Sequence, residues 1–166
     1  MEPRKMTWAE SFSNGDFISV ETYSGRGMTG RDPEGSQHLL EPDANDEALG
    51  IALLDAMARS RFLTLEENRT FFDHDVGTRR HSEWVDVLLR RYGYKTTRSL
   101  FENMMRCSCR TQDNQIIIRP THHQQLEGWG RERGDGIEDV VIPGDCSPTA
   151  VGAGLRLAFS RCTGLR

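Results

Sequence analysis

The sequence predicts an α+β fold, a single domain in which a mainly antiparallel sheet is covered by several helices. Residues 107–110 and 115–120 flank a polar turn, a pattern typical of a β-hairpin. Helix-like segments lie between the strand-like ones, but they lack the regular alternation of parallel crossovers. The length of 166 residues fits one domain. We expect this domain to span residues 16–166, after a flexible N-terminal tail of residues 1–15.

The first part of the chain predicts a strand, a loop and a helix. Residues 16–23 are rich in β-formers and favour a strand. The Gly-rich residues 24–37 follow as a loop, without the Lys-Ser/Thr pair of a phosphate-binding loop. Residues 43–61 predict a helix, because acidic residues come first and apolar residues recur at helical spacing. Gly50 lies within this apolar stripe, so we expect close packing at its position.

The later segments are less uniform in pattern. Residues 65–80 show no clear period, and we expect them to be mostly loop. The remaining predicted elements are helices over residues 82–93, 95–106 and 147–162 and a short strand over residues 139–143. The last helix has a well-defined start, because Ser147 is a favoured N-cap and Pro148 suits the first helical position.

The composition disfavours two classes of function. The formal charge is −4, whereas a dedicated nucleic-acid-binding protein usually carries positive charge to replace counterions on phosphates. An acidic protein is better matched to a basic partner. No apolar segment approaches the roughly 20 residues of a membrane span, and the N-terminus lacks the apolar core of a secretory signal. We therefore expect a cytoplasmic protein that binds neither membranes nor nucleic acid directly.

The four cysteines are Cys107, Cys109, Cys146 and Cys162. None forms a CxxC pair, and four are too few for a disulfide scaffold of this size, so we expect reduced thiols. On a strand, Cys107 and Cys109 would point to the same face, as a packing pair or as a strained redox pair. Cys146 precedes the last predicted helix, whose dipole could lower a thiol pKa.

Residues 120–131, PTHHQQLEGWGR, hold two adjacent histidines near Trp129. Adjacent side chains diverge on a helix or a strand, so His122 and His123 do not readily share one metal ion. We expect no metal or cofactor, and interpret the pair as polar histidines that open a short helix after Pro120.

No nucleophile motif or acid–base pair stands out from the many solvated carboxylates. Two alternatives remain open. One is a metal-dependent hydrolase that uses His74, Asp75, His122 and His123. The other is a homodimeric scaffold, although Trp84, Trp129 and Phe159 fit the core better than an interface.

Five segments in order along residues 16–162 carry a family resemblance. They are DEALGIALLDAMARSR, WVDVLLRRYGYKTTRSLFENMMRC, IIIRPTHHQQLEGW, DVVIP and SPTAVGAGLRLAFSRC. Together they resemble the immunity proteins of bacterial contact-dependent growth inhibition (CDI) systems. The resemblance implies a non-enzymatic cytoplasmic protein that binds the C-terminal domain of a large toxin, often a nuclease, and blocks it. It also implies that PTHHQQLEGW is a framework motif of the fold.

We expect neutralisation to occur by covering the active site or the substrate surface of a basic nuclease. Acidic residues on loops and helix ends would then form charge-assisted hydrogen bonds with Arg and Lys of the toxin. The candidate toxin-binding residues are Glu34, Asp43, Asp46, Glu47, Glu66, Glu67, Asp73 and Asp75.

Overall fold

The computed structural model describes residues 6–165, in which a seven-stranded sheet and a two-stranded sheet are combined with five helices. The strands are β1 (Thr7–Ser13), β2 (Ile18–Gly25), β3 (Thr29–Arg31), β4 (Gln37–Leu40), β5 (Met105–Gln112), β6 (Gln115–Pro120), β7 (His122–Gln125), β8 (Gly128–Gly130) and β9 (Val140–Pro143). The helices are α1 (Asp46–Ala58), α2 (Leu65–Phe71), α3 (His74–Tyr92), α4 (Thr97–Phe101) and α5 (Pro148–Arg161).

The large sheet has the order β3-β2-β1-β5-β6-β9, and β4 also pairs with β2. All of these pairings are antiparallel, which confirms the predicted α+β class. The predicted hairpin is confirmed as β5 and β6. Its turn residues Asp113 and Asn114 both have positive φ. A two-residue hairpin turn requires this conformation to match the right-handed twist of the flanking strands.

Two hydrophobic clusters cover opposite faces of the sheet. On one face, Ala9 and Cys109 pack with α1 and α5. On the other, Phe12 packs with α3, α4 and Trp129, because side chains alternate along β1. Trp84 is only 5% exposed, and Trp129 and Phe159 are partly buried against the clusters, as the sequence predicts.

α1 and α5 cross through two reciprocal glycine contacts. A β-carbon on Gly50 would lie 1.7 Å from the carbonyl oxygen of Pro148, and one on Gly152 would lie 1.7 Å from the carbonyl oxygen of Asp46. Only glycine permits backbones to approach this closely. The close packing expected at Gly50 is therefore confirmed, and its partner is the start of α5.

The predicted flexible N-terminal tail is wrong for residues 7–13. Residues 1–5 lie outside the described residues, but Thr7–Ser13 form β1 in the middle of the sheet. β1 lacks a simple apolar alternation because it buries polar side chains with partners. Glu10 pairs with Arg106, and the Ser11 hydroxyl donates to the carbonyl of Ser19 at 2.9 Å. Hydropathy therefore gave no signal for this strand.

Residues 65–80, expected to be mostly loop, are mainly helical. They contain α2 and the first turns of α3. In α2 only Phe71 is buried, and the buried residues of α3 start at Trp84, so this stretch shows no apolar stripe. Its helices are instead marked by their N-caps, Thr64 and Asp73.

Two other segments also differ from expectation. The Gly-rich loop of residues 24–37 contains β3, which pairs with the end of β2. The short helix expected after Pro120 is instead the β7–β8 hairpin, in which His123 lies opposite Trp129. Cross-strand packing of the imidazole on the indole favours the strand conformation here.

Candidate functional site

The eight acidic candidates lie in four places on the surface. Asp43, Asp46 and Glu47 lie at the start of α1, whereas Glu34 and Glu67 both approach Arg61, just beyond its end. The 13 residues of α1 separate these two sets by roughly 20 Å. The remaining members are Glu66 on α2 and Asp73 and Asp75 at the start of α3. The structure therefore brings Glu34 and Glu67 together but does not unite all eight in one patch.

The Arg61 guanidinium organises the Glu34–Glu67 set. Its Nε and Nη2 donate to both oxygens of the buried Asp32 at 2.8 and 3.0 Å. Nη2 also lies 2.7 Å from the Glu34 carboxylate. Burial opposes ionisation of Asp32, but hydrogen bonds from Arg61 and Ser24 lower the pKa of its carboxyl group. The Arg61–Asp32 ion pair thus anchors the segment after β3, and the exposed Glu34 adds a second carboxylate to it.

Several candidates have structural roles. Glu67 forms a capping box with Thr64, which lowers the pKa of the Glu67 carboxyl group. Asp73 caps α3 by accepting from the backbone N–H groups of Asp75 and Val76. Asp46 pairs with Arg156 of α5 at 2.9 Å. The candidates without such a role among residues 6–165 are exposed at or near helix starts: Asp43, Glu47, Glu66 and Asp75.

The adjacent histidines have separate partners. The His122 ring bonds the Thr163 hydroxyl through Nδ1 at 2.7 Å and Asp135 through Nε2 at 2.9 Å. The His123 ring stacks on Trp129, with centroids 5.0 Å apart, and its Nε2 bonds the Leu126 carbonyl at 2.8 Å. The two imidazoles therefore face different surroundings, as expected for neighbours on a strand.

The residues of the hydrolase alternative are not brought together. His74 and Asp75 lie on the exposed first turn of α3, whereas His122 and His123 lie on β7 with partners of their own. Among residues 6–165, no group of three or more His, Cys, Asp or Glu side chains has the arrangement of a metal site.

Asp135 fixes the loop beside His122. Arg131 donates to both of its carboxylate oxygens at 2.8 and 2.9 Å, and the backbone N–H of Ile137 donates at 3.0 Å. These bonds, with Arg131 contributing most, hold the pKa of Asp135 well below its usual range. The motif at residues 120–131 thus joins a hairpin, a loop and the end of α5, as a framework motif should.

The sheet face beneath α3 contains an ionic network that sequence reasoning missed. Glu10 pairs with Nε and Nη2 of Arg106, each at 3.1 Å. Glu21 accepts from Arg31 at 2.6 Å and from the Trp84 indole at 2.5 Å. The Arg31 guanidinium lies 3.7 Å above the Trp84 ring, a cation–π contact. Burial opposes the Arg106 charge, but Glu10 raises the pKa of its guanidinium overall.

An open crevice of about 1150 Å³ lies between the end of α1 and the β5–β6 turn. Its apolar wall includes Leu54, Met57 and Ile116, and the turn supplies polar groups. None of the eight acidic candidates is among its lining residues. No helix in residues 6–165 is long and apolar enough to cross a membrane.

Comparisons with known proteins agree over nearly the whole chain. The family model of the CDI immunity protein, CdiI, matches residues 7–162. Immunity protein CdiI-YPIII of Yersinia pseudotuberculosis is 43% identical, over 96% of this chain and 97% of that protein. A chain of the CdiA-CT/CdiI toxin and immunity complex from Yersinia pseudotuberculosis has a TM-score of 0.89 at 41% identity, covering 96% of this chain and 98% of that one. A Neisseria meningitidis protein of unknown function, NMB0488, has a TM-score of 0.90 at 35% identity, with 98% of each chain covered.

Proposed function

This chain belongs to the CDI immunity protein family, and we propose that it binds and neutralises the C-terminal toxin domain of its own CDI system. The observation that carries the proposal is the extent of the family match, residues 7–162. These residues include every element from β1 to α5. The similar fold in a toxin and immunity complex, at a TM-score of 0.89, supports the same assignment.

The protein acts by binding and not by catalysis. The positions of the four residues of the hydrolase alternative support binding over catalysis. His74 and Asp75 lie apart from His122 and His123, which are hydrogen-bonded to other groups. Its work is done in the cytoplasm of the producing cell and its siblings, without direct contact with nucleic acid or a membrane.

The toxin domain is a basic nuclease, and the immunity protein covers its active site or its substrate-binding surface. A nuclease binds a polyanion and therefore presents positive charge. The net charge of −4 gives the immunity protein the complementary sign and would speed association. The four acidic places on this fold are then alternative or joint contacts.

The most informative acidic candidates are Asp43, Glu47, Glu66 and Asp75. They are exposed, and within residues 6–165 their carboxylates serve neither a helix cap nor an ion pair of the fold. Asp46, Glu67 and Asp73 would lose stabilising contacts at helix starts on substitution, which would confuse a binding result with a folding defect. Substitutions of the first four therefore test toxin contact without a large effect on the stability of the fold.

The test is toxin activity in the presence of this protein. The toxin domain encoded beside the gene is purified, and its nucleic-acid cleavage is followed with and without an equimolar amount of the immunity protein. Full inhibition at one equivalent is the expected result. The matched control is a toxin domain from an unrelated CDI system, which should stay active. Undiminished cleavage by the cognate domain at excess immunity protein would contradict the proposal.

A further inference from the structure

Two thiols from distant parts of the sequence meet inside the fold. The Sγ atoms of Cys107 and Cys162, separated by 55 residues in sequence, are 3.6 Å apart. Cys107 is fully buried on β5, and the half-buried Cys162 follows the last residue of α5 as its C-cap. Both are free thiols in this structure. Nothing in the sequence alone indicates that these two are neighbours.

We propose that Cys107 and Cys162 form a modification site at which hydrogen peroxide or a similar peroxide produces an intramolecular disulfide. The bond would join the end of α5 to the middle of the sheet. This inference goes beyond the proposed function and does not rest on it.

The geometry requires only a small movement. A disulfide brings its sulfur atoms to roughly 2.0 Å, so the present 3.6 Å must shorten. Cys162 ends its helix, where rotation of the side chain meets less resistance than inside a helix. The next residue, Thr163, is held to β7 because the backbone N–H of His123 donates to its carbonyl at 2.9 Å. The backbone therefore keeps the two thiols together while the side chains adjust.

The environment assigns different roles to the two sulfurs. The hydrogen bond from Cys107 lowers the pKa of the Cys162 thiol, and the Arg131 charge acts in the same direction. Burial raises the pKa of the Cys107 thiol. Cys162, the more exposed and more acidic thiol, therefore reacts first, since the thiolate is the nucleophile. Cys107 is the resolving thiol.

The chemistry balances in two steps. The Cys162 thiolate attacks one peroxide oxygen, the O–O bond breaks, and the released hydroxide takes up a proton to become water, leaving a sulfenic acid. The Cys107 sulfur then attacks the sulfenic sulfur, and its proton leaves with the displaced hydroxide as a second water. Overall, two thiols are oxidised to one disulfide and one peroxide is reduced to two waters.

The fold supplies internal controls. Cys146 lies just before Ser147, the N-cap of α5. The 14 residues of α5 place Cys146 roughly 20 Å from Cys162. Cys109 lies on the same face of β5 as Cys107, two residues further along, and is buried. A disulfide confined to Cys107 and Cys162 would therefore reflect this pairing and not general thiol oxidation.

The experiment oxidises the folded full-length chain with hydrogen peroxide, alkylates the remaining thiols under denaturing conditions and measures intact mass and peptide linkage. We expect loss of two hydrogens, a fall from four free thiols to two, and a peptide cross-link between Cys107 and Cys162. Oxidation should also raise Tm by several degrees, because the bond closes a long loop, and dithiothreitol should reverse the shift.

Variants assign the roles. Cys146→Ser should cross-link as the native chain does, Cys162→Ser should not, and Cys107→Ser should accumulate oxygen on Cys162. Four surviving thiols, a cross-link to another cysteine, or sulfinic acid at Cys162 without a cross-link in the native chain would overturn the proposal. If either the Cys107 or the Cys162 variant fails to fold, the linkage map of the native chain decides the question alone.

Discussion

Gly50 of α1 lies directly against Pro148 of α5, so that a β-carbon on Gly50 would come within 1.7 Å of the Pro148 carbonyl oxygen. The reciprocal contact of Gly152 with the Asp46 carbonyl makes the two helices a close-packed pair. This pair covers the sheet face that holds Ala9 and Cys109. The crossing is therefore a point at which a single methyl group should disturb the whole domain.

Gly50→Ala should destabilise the protein by about 3 kcal/mol, since overpacking costs outweigh the better helix propensity of alanine. Gly77→Ala is the matched control, because Gly77 is also helical, but a β-carbon there would meet no described atom beyond its own helix backbone and chain neighbours within 4 Å. The control should be neutral or stabilise by up to about 1 kcal/mol. Urea unfolding measures both, and equal effects would contradict the assigned contact.

Arg31→Met should destabilise the protein by about 3 kcal/mol, because it leaves Glu21 buried without its cation. Other donors to Glu21, from Ser19 and Gln37 as well as Trp84, limit the loss. Arg59→Met is the control, since Arg59 pairs with Asp55 at the exposed end of α1. An exposed pair contributes less than about 1 kcal/mol, so a similar loss in both variants would argue against the buried network.

Acid should remove a stabilising contribution from Asp55. The hydrogen bond to His38 lowers the pKa of Asp55 from 3.8 to about 2, with Arg59 adding to the shift. A depressed carboxyl pKa stabilises the fold above the unfolded value, and this stabilisation is lost as pH falls from about 4 to about 2. The residue is one-third exposed, so solvent screening keeps the contribution below about 1 kcal/mol.

Urea unfolding between about pH 5 and about pH 2 checks this, in the native chain and in Asp55→Asn. The variant should lose stability less steeply than the native chain over that window. Parallel curves would show that Asp55 does not contribute as described.

The exposed acids should contribute to toxin association. Neutralising Asp43, Glu47, Glu66 and Asp75 to Asn or Gln should slow association at least about tenfold at low salt, because charges at an interface rim act mainly on the on-rate. The matched control neutralises four exposed acids elsewhere: Glu83, Asp86, Glu102 and Glu132. Stopped-flow binding measures both, and unchanged association in the first variant would discard these contacts.

The elements predicted correctly are those marked by residues within or next to them, such as a helix cap or a turn. Ser147 and Pro148 marked the start of α5, and the polar turn before Gln115 marked the β5–β6 hairpin. β1 was not predicted, because its buried polar groups pair with residues that are distant in sequence. In the Glu10–Arg106 pair the two residues are 96 positions apart. The sequence shows each polar residue but not its distant partner. Hydropathy therefore predicts that the polar residues of β1 are exposed, although those in the middle of the strand are buried.

The same limit applies to the candidate site. The family followed from several segments together, and the framework role of residues 120–131 agrees with the contacts of His122 and His123. The sequence, however, does not distinguish an acidic residue that caps a helix, as Asp73 does, from one at a helix start that is available to bind a partner. Likewise, the meeting of Cys107 with Cys162 depends on how α5 lies on the sheet.

Calorimetric titration of this protein into its cognate toxin domain, with cleavage activity followed in the same samples, decides whether the chain is a toxin-neutralising protein. We predict one-to-one binding in the nanomolar range, with toxin activity falling in proportion to the complex formed. The absence of binding heat, together with full toxin activity at excess immunity protein, would show that it is not.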